Sequence, residues 1–272
     1  MHGLGNDFVL LDNLAQQHQD GRRQAPQLTP EQIQFIAERQ RGIGCDQVLI
    51  LDPPSDGVST AYYRIYNRDG SVAAQCGNGA RCCIAYLLSR GFTGTLALQT
   101  ATQVTYGGQL EDGNYWVDMG RPNFAPPLIP LLLPWAPSYQ LDSIEFIAVA
   151  LGNPHAVIQL ETAAELDDDQ GLAAIAVKLQ TAGLFPAGVN VNFCYRLNSS
   201  TLQLRTYENG CGFTQACGSG ACASAVVVVR DNFIVGPLRV QMPGGMLAIS
   251  YQGDNVVMHG SATHVFEGEI EL

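Results

Sequence analysis

The chain has 272 residues, 46% of them hydrophobic and only 14% charged, so it carries enough apolar surface to bury a sizeable core and is not a disordered protein. Acidic residues outnumber Lys plus Arg by 25 to 14, and the net charge of -11 leaves no basic stripe to neutralise a phosphate backbone, which excludes nucleic acid as a partner. The longest aliphatic stretch, Ala225 to Val229, falls far short of the ~20 residues of a membrane span, and Met1 to Asp7 lacks both the basic and the apolar part of a secretory signal, so no membrane association and a cytoplasmic location are expected.

In chain order, Gly5-Asn6 reads as a turn leading into a strand over Asp7 to Leu11. Thr29-Pro30-Glu31, followed by Ile33, Ile36 and Ala37, reads as a capped helix, and Val48 to Leu51 and Tyr62 to Tyr66 read as strands. Cys76-Gly77-Asn78-Gly79-Ala80 marks a helix start that runs into the apolar segment Cys82 to Leu88. Next come Gly120-Arg121-Pro122 and Pro126, Pro127, Pro130, Pro134 and Pro137, which sustain neither a helix nor a central strand; a domain boundary is expected just before them. Gly152-Asn153-Pro154-His155 is a second turn into a strand, Ala156 to Ile158. Leu172 to Gln180 reads as a surface helix with Lys178 as a solvated cation. Leu202 to Tyr207 and Met246 to Ser250 read as strands, flanking a second helix start at Cys217-Gly218-Ser219-Gly220-Ala221. Many strands with one or two helices per half predict an α+β architecture rather than a doubly wound parallel sheet.

Two of these segments are repeats. The Cys-Gly-x-Gly-Ala string recurs after 141 residues, and the Gly-Asn turn recurs after 147, in the same order, as a duplicated unit requires. Each copy of the first string places a cysteine and two glycines at a helix start, where unpaired backbone N–H groups and the positive end of a dipole bind a carboxylate and favour a thiolate. Two such thiols facing one ligand from opposite sides form a two-base device: one thiolate removes a proton α to a carboxylate, and the other thiol returns one to the opposite face. The competing reading is that Cys76 and Cys217 are small core residues.

Other chemistries fit less well. Gly218-Ser219-Gly220-Ala221-Cys222-Ala223 matches a dinucleotide fingerprint, but it follows the polar run Glu208 to Gln215 instead of an apolar strand and has no acid about 20 residues downstream. The eight cysteines lack a Cys-x-x-Cys knuckle, so no metal site is expected, and they are too few for a disulfide scaffold. Thirteen of the 14 basic residues are Arg; Lys178 alone is available for a Schiff base and is poorly placed for one, so pyridoxal phosphate is not expected.

At His2-Gly3-x-Gly5-Asn6-Asp7-Phe8, Asn67-x-Asp69-Gly70-Ser71, Cys76-Gly-Asn-Gly-Ala-Arg81-Cys82, Gly152-Asn-Pro-His155, Val189-Asn190-Val191 and Ala216-Cys-Gly-Ser-Gly-Ala-Cys222 the chain resembles the diaminopimelate epimerase family over its whole length. The resemblance implies two pseudo-symmetric domains, 1–118 plus 263–272 and 119–262, each a curved mixed or antiparallel sheet around a central helix. The last strand, Thr263 to Leu272, would return to the first domain. It also implies cofactor-free conversion of LL- to meso-diaminopimelate, in lysine and peptidoglycan-precursor synthesis, by a homodimer. On the matching motifs, Cys76 and Cys217 correspond to the acid–base pair, with His155, Asp69 and Glu208 as assisting groups. Gly77, Asn78, Gly218 and Ser219 would present amides to the reacting carboxylate, and Asn6, Gln47, Asn67, Asn153, Asn190, Glu208 and position 209 would complete the substrate set. Asn6, Asn67 and Asp69 equally suit a purely turn-shaping role among their glycines, and Glu208 equally suits a solvated loop charge.

Several positions depart from that pattern. Asn209 stands where the family carries an Arg that grips the distal carboxylate, and an amide supplies neither a cation nor a bidentate fork. Phe213 replaces a Glu, Asn192 replaces the Gly that follows the second Val, and Phe266 replaces a Tyr near the dimer contact. The family's short strand before His2 is not present, which leaves a start upstream of Met1 among the expectations. Two further readings follow: a cofactor-independent racemase for another amino acid, which Asn209 favours, and an amino-acid binding protein without catalysis, which the retention of both cysteines disfavours.

Overall fold

The computed structural model describes residues 1–14, 28–73, 75–232 and 236–272. The chain divides into two compact units, Met1–Val117 with Gly260–Leu272, and Asp118–His259.

In the first unit the strands β1 (His2–Gly3), β2 (Asn6–Asp12), β3 (Gln47–Asp52), β4 (Ala61–Asn67), β5 (Leu96–Gln99), β6 (Val104–Gln109) and β7 (Tyr115–Asp118) lie side by side in that order. Helix α1 (Pro30–Ala37) joins β2 to β3 and α2 (Gly77–Ser89) joins β4 to β5. Thr29 caps α1 through a capping box with Gln32. Strand β3 is apolar and buried from Val48 to Leu51 because both of its faces are covered. Val48 and Ile50 pack with Ile33, Ile36 and Ala37 of α1, while Leu49, one residue out of phase, lies against Gly79 of α2. Helix α2 touches β1, β2, β3 and β6, strands from both ends of the row, so the sheet curls around it.

The second unit repeats the plan. Its row is β8 (Tyr139–Leu141), β9 (Ile144–Ala150), β10 (Pro154–Gln159), β11 (Asn190–Asn198), β12 (Thr201–Glu208), β14 (Leu238–Met242), β15 (Gly245–Ser250) and β16 (Val257–Gly260), with the short β13 (Gly212–Phe213) on β12. Helix α3 (Asp169–Thr181) joins β10 to β11, and α4 (Gly218–Asn232) lies between β12 and β14. From β1 to β7 successive pairings run antiparallel, parallel, antiparallel, parallel, antiparallel, antiparallel, and from β9 to β16, leaving out β13, the same series recurs. The two repeated motifs thus mark a repeated connection order, and the α+β expectation holds.

The two faces of this second sheet differ in chemistry. Ala156, Ile158, Val191 and Phe193 enter a core with Leu172, Ala176 and Leu179 of α3. On the opposite face β9, β10, β11, β12, β14 and β15 all touch α4, whose residues Ala221 to Val228 are buried all round. His155, Asn192 and Thr206 are buried on that face.

One expectation needs correction. Thr263 to Leu272 is not a strand: Thr263 bridges to His2, and the residues after it form no ladder. Glu267, Glu269 and Glu271 are exposed, so this segment presents carboxylates where a paired strand would pack side chains. Lys178 is exposed on α3, in keeping with a solvated cation, and its ammonium pairs with the exposed Asp142 carboxylate. The proline-rich stretch also contributes to the core: around a short 3-10 turn at Pro126–Leu128 it inserts Ile129 and Leu131 into the core of the second unit.

Candidate active site

Cys76 is the N-cap of α2, in extended conformation, and its sulfur accepts the Gly79 N–H at 3.4 Å. Its carbonyl accepts the Ala80 N–H, so Gly77 and Asn78 keep first-turn amides outside the helical ladder. Gly79 is required by packing: a Cβ there would collide with the Tyr63 hydroxyl, which also reaches the Cys76 carbonyl at 3.4 Å. Asn6 opens β2 after a tight turn in which Leu4 and Gly5 have φ of 58° and 83°. Its Oδ1 lies 3.9 Å from the Cys76 sulfur and accepts from Asn78 Nδ2 at 3.3 Å. Its Nδ2 donates to Asp46 at 2.9 Å, and Asp46 is in turn held by Arg39, which also forks onto Asp7. Sequence reading missed this chain from Arg39 to the thiol; its members are far apart in sequence and meet only because β2 and β3 pair in parallel.

Gln47 and Asn67 face each other across β3 and β4, with Gln47 Nε2 donating to Asn67 Oδ1 at 2.9 Å. Gln47 Oε1 is buried and has no hydrogen-bond partner among the described residues, which leaves an acceptor for a ligand. Asn67 also donates to Ser71. Asp69 is exposed, and its Oδ1 accepts from the Ser71 amide and hydroxyl, contacts that hold its carboxyl below the usual range; these hydrogen bonds shape the turn that carries Asn67.

The second unit repeats the thiol setting with different supports. Cys217 precedes α4, its carbonyl accepts from Ala221, and its sulfur is hydrogen-bonded by the Gly220 amide. The Ser219 hydroxyl lies 3.6 Å from that sulfur. A Cβ at Gly220 would collide with Asn192 Oδ1, so Asn192 fills the place that Tyr63 takes in the first unit. Glu208, at the end of β12, accepts from Thr214 Oγ1 at 2.6 Å and hydrogen-bonds the thiol. A helix start alone favours a thiolate, yet burial outweighs it here. Desolvation pushes the Cys217 thiol well above its usual pKa and the Glu208 carboxylate adds to the rise, opposed by the Gly220 amide and Ser219 hydroxyl.

His155 lies on β10 with both ring nitrogens engaged, Nε2 with Asn153 Oδ1 at 2.9 Å and Nδ1 with Asn192 Nδ2 at 3.0 Å. Burial pushes its pKa down to about 3, so the ring is neutral. Asn190 is nearly buried and its Oδ1 accepts the Asn209 N–H at 2.9 Å. Asn209 itself is exposed, its side chain lying against Gly188, a residue with φ of 78°. Among the described residues no group of three or more His, Cys, Asp or Glu is gathered as metal ligands would be. A concavity of about 360 Å³ bounded by Pro137, Glu145, Phe146 and Arg230 contains none of these residues.

The family model for diaminopimelate epimerase matches residues 1–125 and 147–265. The chain belongs to the diaminopimelate epimerase family. Family members similar to it include a diaminopimelate epimerase of Azoarcus sp. (strain BH72), 39% identical across all of this chain and 97% of that protein, and one of Pseudomonas syringae pv. tomato, 38% identical across all of this chain and 98% of that protein. Solved structures of the same fold include a hydroxyproline epimerase from Agrobacterium vitis with bound trans-4-hydroxy-L-proline (TM-score 0.68, 17% identity, 96% of this chain and 86% of that one). A probable proline racemase from Agrobacterium radiobacter K84 with bound carbonate is another (TM-score 0.69, 15% identity, 100% and 91%).

Proposed function

We propose that this chain is a cofactor-independent epimerase converting LL-diaminopimelate to the meso form, a step in lysine and peptidoglycan-precursor synthesis, with Cys76 and Cys217 as its acid–base pair. Membership of an epimerase family makes it an isomerase. The observation that supports the mechanism best is the matched setting of the two thiols. Each stands at the start of the helix its sheet wraps, and each accepts from the glycine amide three residues on. One thiolate takes the α proton, and the electron pair of the broken C–H bond spreads into the α-carboxylate. The amides of Gly77, Asn78, Gly218 and Ser219 stabilise that charge. The other thiol delivers its proton to the opposite face of the carbon, and the reverse reaction exchanges the two roles.

In this reading Glu208 holds the Cys217 proton when the thiolate forms, while Asn6, Asn78, Gln47, Asn67, Asn153 and Asn190 position the substrate. His155 acts through Asn153, and Asp69 acts through its turn. The chain would work in the cytoplasm as a homodimer whose contact covers the exposed ring of Phe266. Lys178, the sequence's one lysine, is paired to Asp142, which disfavours a Schiff-base route.

Incubating the protein with LL-diaminopimelate in heavy water tests the reading: inversion with incorporation of one solvent deuteron at the α carbon is expected. Cys76→Ala and Cys217→Ala should each abolish inversion while leaving substrate binding measurable. Turnover by either variant at the parent rate would sink the two-thiol mechanism. A second reading, racemisation of an amino acid without a second carboxylate, is supported by the uncharged, exposed Asn209 and is tested by a substrate panel.

A further inference from the structure

Asn192 has no assigned role, yet it lies at the centre of a fully buried polar chain. The β10–β11 pairing sets Val157 opposite Asn192, and the β11–β12 pairing sets Thr206 opposite it. Thr206 Oγ1 donates to Asn192 Oδ1 at 3.1 Å. Asn192 Nδ2 lies 3.4 Å from the carbonyl oxygens of both Ala156 and Asn190, which only accept, so this end of the amide is the donor. The same nitrogen points at His155 Nδ1 at 3.0 Å. Nδ1 must therefore accept, the ring proton must sit on Nε2, and Nε2–H donates to Asn153 Oδ1 at 2.9 Å. With its carbonyl end occupied, Asn153 keeps its Nδ2 hydrogens to donate elsewhere.

We propose that Asn192 is a positioning residue: by fixing His155 in its neutral Nε2–H form it orients the Asn153 amide with its N–H groups toward the substrate. The assignment rests on the epimerase reading only for the identity of that substrate. Asn192 does not touch substrate, and His155 reaches it through Asn153. The sheet face and the Gly220 backbone hold Asn192 in place, so the chain of contacts is set before any ligand arrives.

The test is ¹⁵N NMR of the histidine side chains in the ligand-free protein, with Asn192→Asp and Asn192→Ala beside the parent. The parent should show His155 as a single Nε2–H tautomer. A carboxylate in place of the amide offers no donor to Nδ1, so Asn192→Asp should move a proton onto Nδ1, and Asn192→Ala should give mixed tautomers. With diaminopimelate, Asn192→Ala should raise KM about fivefold, the effect of one lost hydrogen bond, with kcat within about twofold. A parent ring protonated on Nδ1, or an unchanged Nε2–H form in both variants, overturns the proposal, as does a shifted tautomer with unchanged KM. If the tautomer shifts as expected but the parent does not turn over diaminopimelate, the positioning of Asn153 stands and the substrate assignment falls.

Discussion

At the residue scale the departure with the clearest consequence is Asn209. Its backbone N–H holds Asn190, but its side chain carries no charge and rests on Gly188. A guanidinium there would add a charge-assisted bond to a distal carboxylate, worth about 1.5 to 3 kcal/mol. Asn209→Arg is therefore expected to lower KM for diaminopimelate by roughly tenfold to a hundredfold, with a smaller change in kcat. A parent that inverts monocarboxylate amino acids while ignoring diaminopimelate, and loses that activity in Asn209→Arg, would show that the pocket has been rebuilt for the smaller ligand.

His155 gives a second expectation, in stability. Its folded pKa of about 3 lies below the usual 6.5, so below pH 6.5 the unfolded chain binds a proton that the folded chain does not. Its stabilising contribution is complete above pH 6.5 and drains away as pH falls toward 3. Between pH 6.5 and 5, before the carboxylates titrate, the loss should reach about 2 kcal/mol. Urea midpoints at the two pH values measure it, and His155→Gln should remove that part of the slope.

At the scale of elements, the helix starts depend on what the sheet places beneath them. Gly220→Ala forces a methyl group into Asn192 Oδ1 and should cost about 1 to 3 kcal/mol, read from the denaturation midpoint. Asn192→Gly removes the obstruction, so the double variant should recover part of that cost, and a double-mutant cycle isolates the coupling. If the two changes simply add, the contact carries no energy.

These helix starts were legible because Cys-Gly-x-Gly punctuates the chain twice, and β2, β3, β4, β10, β12 and β15 were legible from their apolar runs. Strands β5 to β7 were not. They are four to six residues long, and β6 carries Gly107 and Gly108, which bring Trp116 and its backbone close but erase the alternation that marks a strand. Helix α4 shows no amphipathic period because strands surround it. Residue types and spacing pointed to Cys76 and Cys217, and the family resemblance to Asn153 and His155, whereas the partners that orient them, Asn192, Thr206, Thr214 and Asp46, become neighbours only through strand register. No local pattern encodes such register.

For the molecule as a whole, the repeated order of parallel and antiparallel pairings shows how two units keep one plan while their interiors diverge. A tyrosine hydroxyl presses on the first helix start and an asparagine amide on the second, so the same steric demand on a glycine is met by unlike groups. The path of the chain through these units also orders events during synthesis. The second unit is one continuous stretch, complete once His259 has left the ribosome. The first is not: His2 bridges to Thr263, and the Arg81 guanidinium, buried beneath Gly3, donates to the Ser261 carbonyl. The part of the protein made first is therefore finished last: a nascent chain holding residues 1–117 can pair β1, β2 and β3 with one another, but the outer edge of β1 and the Arg81 guanidinium meet Thr263 and Ser261 only once those residues have been translated.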